Sequence, residues 1–313
     1  MKIGIIGAGA MGSLYGGIIG EKSHEVYFVD VYEEHIKAMK SNGIKLLHKD
    51  GTEKVYTENL HFTTNSKEFD VKYDLVIVLV KTYVTEEALK QNENMFTNDT
   101  LVLTLQNGIG NIENISKYIN ESNIIVGTTS TSGWIEEPGV IKHTGDGGTH
   151  IGEIDGQKTD RINKVNELFV SDHLGPAEVL EDVMSIIWEK LIGNCGLNPL
   201  GALTGLKNGQ LIENEETRWL QDRVAEEALL VADAENIKLP WNDSSGIVAL
   251  CKATAPNQTS MLIDVLNERK TEIEAINGGV ADLGKKHGIA MPVNEALVNL
   301  VKGKEKAYLQ YKN

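Results

Sequence analysis

Short apolar runs alternate with stretches of helical length through the first half of the chain. The apolar runs are bounded by turn residues and cover Lys2–Ile6, Glu25–Asp30, Asp74–Val80, Thr100–Leu105 and Asn123–Gly127. Such alternation is typical of strands joined by crossover helices, because parallel strands need a long connection that runs back over the sheet. The pattern predicts an α/β domain built on a parallel sheet.

Two further segments lack a helical period and contain turn residues between short apolar runs. Residues Ile44–Thr64 include the turn Lys49–Thr52, and residues Gly133–Gly152 are rich in glycine. Turn residues between two such runs are typical of β-hairpins. We expect a hairpin at an edge of the sheet in the first segment and one that closes the domain in the second.

The pattern changes near residue 182, where strand-like runs end and helical patterns begin. The predicted helices are Val183–Leu197, Glu213–Ala234, Ser260–His287 and the short Asn294–Lys302. In the third, apolar residues recur at spacings of three and four, so one stripe of that helix is expected to be buried. We therefore expect a doubly wound domain over residues 1–181 and a helical domain over residues 182–313, and a length of 313 residues also favours two domains.

The first predicted strand runs directly into a glycine-rich turn of the form GxGxxG. In such a turn the first glycine allows a tight bend, the second lets backbone N–H groups approach a pyrophosphate, and the third lets the next helix pack closely. The N-terminus of that helix then stabilises the phosphate charge. A plain strand-to-helix turn is the alternative. The predicted cofactor-binding residues are Gly7, Ala8, Gly9, Ala10, Met11 and Gly12.

Asp30 ends the second predicted strand, at the distance beyond the glycines where a ribose-binding carboxylate is expected. A carboxylate there accepts hydrogen bonds from the adenosine ribose hydroxyls and repels a 2′-phosphate. No basic residue follows at once, and Glu33 and Glu34 add negative charge. The position favours NAD(H) over NADP(H), with a solvated carboxylate at a strand end as the alternative.

Charge and composition argue against several classes of partner. The net charge is −15, from 45 acidic and 30 basic residues, which disfavours nucleic acid and anionic membrane surfaces. Two cysteines are too few for a disulfide framework, and the eight histidines lack the spacing of a metal site. The chain shows neither a membrane-length apolar run nor a secretory signal, so we expect a cytoplasmic protein without a metal.

Three polar residues recur every four positions in the first predicted helix of the second half. Lys190, Asn194 and Asn198 share one face, because four residues correspond to slightly more than one helical turn. The remaining positions of this helix are largely apolar. Such a stripe indicates either a binding site or a solvated face.

Two more polar sets are candidates for the site. Lys81 and the segment Gln106–Gly110 follow predicted strands, at the edge where open α/β sheets bind ligands. Ser260 and Glu272 lie on the predicted helix Ser260–His287. For these two the alternatives are a helix cap, which Thr259 could also provide, and an ordinary surface carboxylate.

Taken together, these stretches resemble the ketopantoate reductase family from end to end. The resemblance implies a Rossmann-type doubly wound domain, followed by an all-α domain like the C-terminal domain of 6-phosphogluconate dehydrogenase. It further implies a reductase that transfers hydride from a nicotinamide to C2 of a branched 2-oxo acid and so forms the D-2-hydroxy acid. The matching stretches are Gly7–Gly12, Val80–Lys81, Leu105–Gly110, Trp188–Leu200, Asn208–Gln210 and Ser260–Gly278.

The same resemblance implies roles for individual residues. Lys190 is the implied proton donor to the developing alkoxide, and Glu272 is the second implied catalytic residue, which also holds the cofactor ribose. Lys81 is implied to lie along the cofactor. The implied substrate-binding residues are Asn107, which is also assigned to the cofactor, Asn194, Asn198, Asn208 and Ser260.

Asp30 departs from the basic residue that NADPH-using members carry after the second strand. It favours the branch that resembles NAD-dependent D-2-hydroxyacid dehydrogenases, which act on bulky substrates such as D-mandelate or D-2-hydroxyisocaproate, while Lys81 leaves NADP(H) open. We expect a homodimer that interconverts branched or bulky 2-oxo acids and D-2-hydroxy acids with NAD(H). The alternatives are an NADPH-dependent 2-dehydropantoate 2-reductase, a 3-hydroxyacid dehydrogenase or imine reductase, and a non-catalytic nucleotide sensor.

Overall fold

The computed structural model describes residues 1–311, which form two compact units. The first unit contains residues 1–106 and 111–183. The second contains residues 107–110 and the chain from Met184 onward. The α/β class predicted for the first half and the helical class predicted for the second are both confirmed.

The first unit is built on one ten-stranded sheet. The strand order is β4-β3-β9-β8-β7-β6-β1-β2-β5, and β10 pairs with β9. The strands are β1 (Lys2–Ile6), β2 (Glu25–Val29), β3 (Ile44–Leu47), β4 (Glu53–Tyr56), β5 (Leu60–Thr63), β6 (Leu75–Val78), β7 (Leu101–Thr104), β8 (Ile124–Glu137), β9 (Val140–Glu153) and β10 (Ala177–Val179).

β1 lies in the interior of this sheet and pairs in parallel with β2 and β6. Ile3 and Ile5 of β1 are fully buried in the core of the first unit. Interior strands of a parallel sheet are covered on both faces, which is why these strands read as almost continuous apolar runs. Five α-helices belong to this unit: α1 (Ala10–Glu21), α2 (Glu33–Asn42), α3 (Thr85–Gln91), α4 (Asn111–Ser116) and α5 (Asp160–Asn166).

The predicted edge hairpin is correct for part of its range. β3 and β4 pair antiparallel, with Ile44 opposite Tyr56, and β4 is an edge strand. β5 does not belong to this hairpin, because it pairs in parallel with β2 at the other edge of the sheet. The prediction of one hairpin over residues 44–64 was therefore wrong for residues 60–63. The second predicted hairpin is confirmed as part of a longer ribbon, β8 and β9.

The second unit is helical. Its helices are α6 (Val183–Thr204), α7 (Asn208–Glu213), α8 (Glu215–Ala234), α9 (Ser245–Ala253), α10 (Ser260–Leu266), α11 (Gly279–Lys286) and α12 (Pro292–Leu309), with a π-helical turn at Glu274–Gly278. Leu191 and Ile192 of α6 pack in one core with Val224 and Val231 of α8. None of the helices within residues 1–311 combines the length and hydropathy that crossing a membrane requires.

The single helix expected over Ser260–His287 is broken, and that prediction was wrong. α10 ends at Leu266, and Glu268 then adopts the left-handed conformation with φ of 54°. The chain turns helical again at the π-helical turn and continues as α11. Neither proline nor glycine lies in the break at residues 267–273. The apolar spacing continues across it, so the local sequence gives no sign that the helix ends. α6 also extends past the predicted Leu197 to Thr204, with Pro199 inside it.

Candidate functional site

Each glycine of the GxGxxG turn meets a different steric demand. Gly7 has φ of +97°, and a Cβ there would lie 2.8 Å from the backbone of Leu79 and Val80. A Cβ on Gly12 would overlap the Gly7 carbonyl oxygen. At Gly9, by contrast, nothing lies within 4 Å of an added Cβ. The first and third glycines are thus required by the fold, whereas the second leaves open space beside the turn.

The open space at Gly9 lies at the N-terminus of α1. Gly9 is the N-cap of this helix, and within residues 1–311 no side chain caps it and no acidic residue lies in its first turn. The first N–H groups of a helix lack partners within the helix, and they carry partial positive charge. An uncapped helix start beside a glycine cradle fits the pyrophosphate of a dinucleotide. The residues of this turn therefore fit a dinucleotide cofactor, of which NAD(H) and NADP(H) are examples.

A buried histidine, which the sequence analysis missed, supports this turn. The Gly139 N–H donates to His35 Nδ1 at 3.0 Å, so Nε2 carries the proton and faces Ser13 Oγ at 3.1 Å. Ser13 Oγ in turn donates to the Ala8 carbonyl oxygen at 2.7 Å. Burial lowers the pKa of His35, in keeping with a neutral imidazole. No local sequence signal marks His35, because its partner Gly139 lies more than a hundred residues away.

Asp30, predicted as the last residue of the second strand, directly follows β2 and is half-buried. Its Oδ1 accepts a hydrogen bond from the Tyr32 N–H at 2.9 Å, which fixes the direction of the carboxylate. The neighbouring Val31 is 79% exposed. The turn thus presents a carboxylate and an apolar side chain, and a cationic side chain that could bind a phosphate is absent from residues 30–34.

Lys81 follows β6, at the same edge as the glycine turn that follows the neighbouring β1. It is half-buried and begins the 3₁₀ turn Thr82–Val84. Gln106, which follows β7, donates through Nε2 to the Val80 carbonyl oxygen and to Thr85 Oγ1, both at 2.7 Å. This amide joins the ends of β6 and β7 and thereby holds the backbone next to Lys81.

The polar stripe of α6 is present in the second unit. Lys190 and Asn194 are half-buried and Asn198 is buried. Burial lowers the pKa of Lys190 to about 8, and the nearby Glu272 carboxylate opposes part of that shift. Glu272 is itself buried. The structure therefore brings Lys190 together with Glu272, and the solvated-face alternative for α6 does not describe this helix.

Asn107 belongs to a short segment that packs within the second unit. The Ile109 N–H donates to the Ala275 carbonyl oxygen at 3.1 Å, and Ala275 lies in the π-helical turn. Gly108 has φ of +77°, and a Cβ there would lie 2.6 Å from the same oxygen. Only glycine fits so close an approach. Asn107 is therefore held beside the turn that follows Glu272.

The remaining two predicted substrate residues have different surroundings. Ser260 is the exposed first residue of α10, whereas the helix cap is Thr259, whose Oγ1 accepts from the Leu262 N–H at 3.1 Å. Asn208 is buried, and its Nδ2 donates to Thr254 Oγ1 at 2.8 Å. This bond joins the start of α7 to the residue after α9. The Asn208 side chain thus makes a hydrogen bond within the fold, whereas the Ser260 side chain is exposed to solvent.

Comparisons with known proteins agree with these observations. Two family models match the chain: "Ketopantoate reductase PanE/ApbA" over residues 3–156 and "Ketopantoate reductase PanE/ApbA C terminal" over residues 182–305. A 2-dehydropantoate 2-reductase of Pyrococcus abyssi is 35% identical over 305 residues, covering 97% of this chain and 98% of the relative. One of Halobacterium salinarum is 31% identical over 302 residues, covering 96% and 98%.

A solved structure extends the likeness to the fold. The ternary structure of D-mandelate dehydrogenase with NADH and anilino(oxo)acetate superposes with a TM-score of 0.90 at 28% sequence identity. The match covers 98% of this chain and 99% of that one. The likeness therefore extends over both units of the chain.

Proposed function

This chain belongs to the ketopantoate reductase family of NAD(P)-dependent oxidoreductases, and we propose that it reduces 2-dehydropantoate to the D-2-hydroxy acid. The relatives that carry this activity in their names cover nearly the whole chain. The observation that carries the proposal is the half-buried Lys190 beside the buried Glu272. Such a pair suits the reduction of a keto group.

The proposed chemistry needs an acid at the keto oxygen. Addition of hydride, which the bound nicotinamide cofactor supplies, leaves negative charge on that oxygen. The Lys190 ammonium stabilises this charge more in the transition state than in the ground state, and its Nζ donates the proton. A pKa of about 8 makes it a stronger acid than an exposed lysine. Glu272 keeps the amine charged near neutral pH.

The substrate's other groups need hydrogen-bond donors. We assign its carboxylate to the Asn107 amide and the exposed Ser260 hydroxyl, and its hydroxyl to the carboxamides of Asn194 and Asn198. A carboxamide both donates and accepts, so it can bind a hydroxyl in either sense. Asn208 is proposed as a substrate residue too, although its Nδ2 is used by Thr254.

For the cofactor we propose NADH. The turn Gly7–Gly12 would hold the pyrophosphate, Asp30 the adenosine ribose, and Lys81 would lie along the cofactor. Asp30 and the glutamates after it repel the 2′-phosphate of NADPH. The D-mandelate dehydrogenase that resembles this chain was solved with NADH, which supports this choice.

A second candidate is a D-2-hydroxyacid dehydrogenase for bulky substrates. The combination of Asp30 with the likeness to D-mandelate dehydrogenase favours it. In that case benzoylformate or 4-methyl-2-oxopentanoate takes the place of 2-dehydropantoate, and the roles of Lys190 and Glu272 are unchanged.

A substrate panel tests both candidates. We expect 2-dehydropantoate to be reduced with a kcat/KM at least about tenfold above that for benzoylformate and 4-methyl-2-oxopentanoate, and with NADH preferred to NADPH. The reverse order of substrates would favour the second candidate. Turnover of 3-hydroxy acids or imines alone would reject both, and NADH binding without any turnover would indicate a nucleotide sensor. The homodimer stays a prediction, which sedimentation equilibrium would check.

A further inference from the structure

A proline inside α6 changes the hydrogen bonding next to the polar stripe. Pro199 has no N–H, so the Cys195 carbonyl four residues earlier lacks the backbone donor that position 199 would supply in a helix. Cys195 is fully buried and lies between Asn194 and Asn198 in the sequence. A buried carbonyl needs a donor from elsewhere in the fold.

Asn277 supplies that donor from 82 residues away. Its Nδ2 donates to the Cys195 carbonyl oxygen at 3.1 Å and to Asn294 Oδ1 at 3.0 Å. Asn277 is fully buried and belongs to the π-helical turn that begins two residues after Glu272. The Gly278 N–H closes this turn on the Ile273 carbonyl oxygen at 3.0 Å. π-Helical turns are rare in proteins, and those that do occur often lie at functional sites.

The orientation of these amides is set by a buried carboxylate on α8. Glu227 accepts from the Val293 N–H at 2.8 Å, and from the Asn294 N–H and Nδ2 at 2.9 Å and 2.7 Å. Because Asn294 Nδ2 faces this carboxylate, its Oδ1 must face Asn277, which therefore presents Nδ2. A continuous chain of bonds thus runs from α8 through the start of α12 and the π-helical turn to α6.

We propose that Asn277 is a positioning residue for the reaction, which holds the turn after Glu272 against the helix that carries Lys190. It acts through the backbone, on α6 by its hydrogen bond to the Cys195 carbonyl oxygen and on the π-helical turn by its own place in that turn. The same turn binds the segment that carries Asn107, through the Ala275 carbonyl oxygen. The inference rests on the proposed function in that it takes Lys190 as the acid.

The test measures the Lys190 amine directly, independent of turnover. Lysines of the full-length protein are ¹³C-dimethylated and titrated by NMR, with the Lys190 signal assigned by its loss in Lys190→Arg. In Asn277→Ala we expect the titration midpoint of the Lys190 signal to fall about 0.5 pH units below that of the wild type, because the Glu272 carboxylate is no longer held near the Lys190 ammonium. We also expect kcat to fall about tenfold, with the KM for the cofactor within about twofold. If the alanine variant does not fold, Asn277→Ser is judged by the same two criteria.

Two controls separate positioning from stability. Val231→Ala removes buried apolar contacts in the same core, and it should lower the unfolding temperature without moving the Lys190 midpoint. In Pro199→Ala/Asn277→Ala, the new N–H at residue 199 can donate to the Cys195 carbonyl. This double variant should regain part of the lost unfolding temperature while the midpoint stays low.

An unchanged midpoint in Asn277→Ala would overturn the inference. The inference would also be overturned if, in Pro199→Ala/Asn277→Ala, the Lys190 midpoint returned to the wild-type value together with the unfolding temperature. A lowered midpoint in a protein that turns over no 2-oxo acid would leave the positioning contact established and reject the proposed function instead.

Discussion

The burial of one ammonium group determines the pH range in which the proposed reduction can run. Lys190 must be protonated to donate, and its pKa is lowered to about 8. We expect kcat/KM for reduction to fall as the pH rises through about 8, and the rate of the reverse oxidation to rise over the same range. Rates measured from pH 6 to about 10 check this. A reduction rate that is constant across that range would contradict the role of Lys190.

Removal of the same group should abolish most of the catalysis and leave cofactor binding intact. We expect Lys190→Met to lower kcat by at least about 100-fold, because a positioned acid contributes a factor of this size. NADH affinity, measured by fluorescence titration, should stay within about twofold. Lys285→Met, at an exposed position of α11, is the matched control and should retain wild-type kcat.

Asp30 determines the expected choice between the two cofactors. We expect Asp30→Ser/Val31→Arg to raise the ratio of kcat/KM with NADPH to that with NADH by at least about tenfold, since a repulsive carboxylate is removed and a guanidinium is added next to it. Asp70→Ser, at an exposed position of the same unit, should leave the ratio unchanged. If the wild-type enzyme already prefers NADPH, the assignment of Asp30 is wrong.

At the scale of elements, the start of α1 combines a steric requirement with a binding surface. Gly9→Ala adds a Cβ into open space, so we expect the unfolding temperature to be unchanged while the Kd for NADH rises at least about tenfold. Gly12→Ala should both lower the unfolding temperature and raise the Kd for NADH, because its Cβ overlaps the Gly7 carbonyl oxygen. Calorimetry and fluorescence titration measure the two effects. Gly303→Ala in α12, also without neighbours within 4 Å, should leave the Kd for NADH unchanged and raise the unfolding temperature, because alanine is favoured over glycine inside a helix.

Elements also differ in how far local sequence predicts them. β1 was predicted to the residue, because an apolar run followed by a glycine turn is a local pattern, and β2 ends at Val29, one residue before its predicted end. The break after α10 was missed, since it depends on Glu268 adopting a left-handed conformation that few side chains favour. Bonds from elsewhere stabilise that region: the Thr271 N–H donates to Glu305 of α12 at 2.7 Å.

At the scale of the whole molecule, a histidine cluster in the first unit should control stability in acid. His48 stacks on His173 with ring centroids 3.9 Å apart, and His143 approaches it edge-on. Burial, together with the charges of these two neighbours, lowers the pKa of His48 to about 4. His48 directly follows β3, a strand of the edge hairpin. It becomes a buried titrating group once β9 pairs with β3.

The sign of the effect follows from proton linkage. Between about pH 6.5 and pH 4 the unfolded chain binds a proton at His48 that the folded chain does not, so stability falls as the pH drops through this window. We expect a loss on the order of 2 kcal/mol from this residue. Denaturant unfolding at pH 7 and pH 4.5 measures it, and His48→Phe should flatten the dependence. An equal pH dependence in both proteins would show that other groups are responsible.

The patterns that depend on neighbours along the chain were determined by the sequence alone. These are the apolar strands, the glycine turn, the position of Asp30 and the shared face of the α6 stripe, since each arises from residues within a few positions of one another. Only the tertiary structure decided how distant residues meet. It placed Glu272 beside Lys190, gave the Cys195 carbonyl its donor from Asn277, and joined His35 to Gly139. These contacts form only when packing excludes water and buries the groups, and burial is also what lowers the pKa of Lys190.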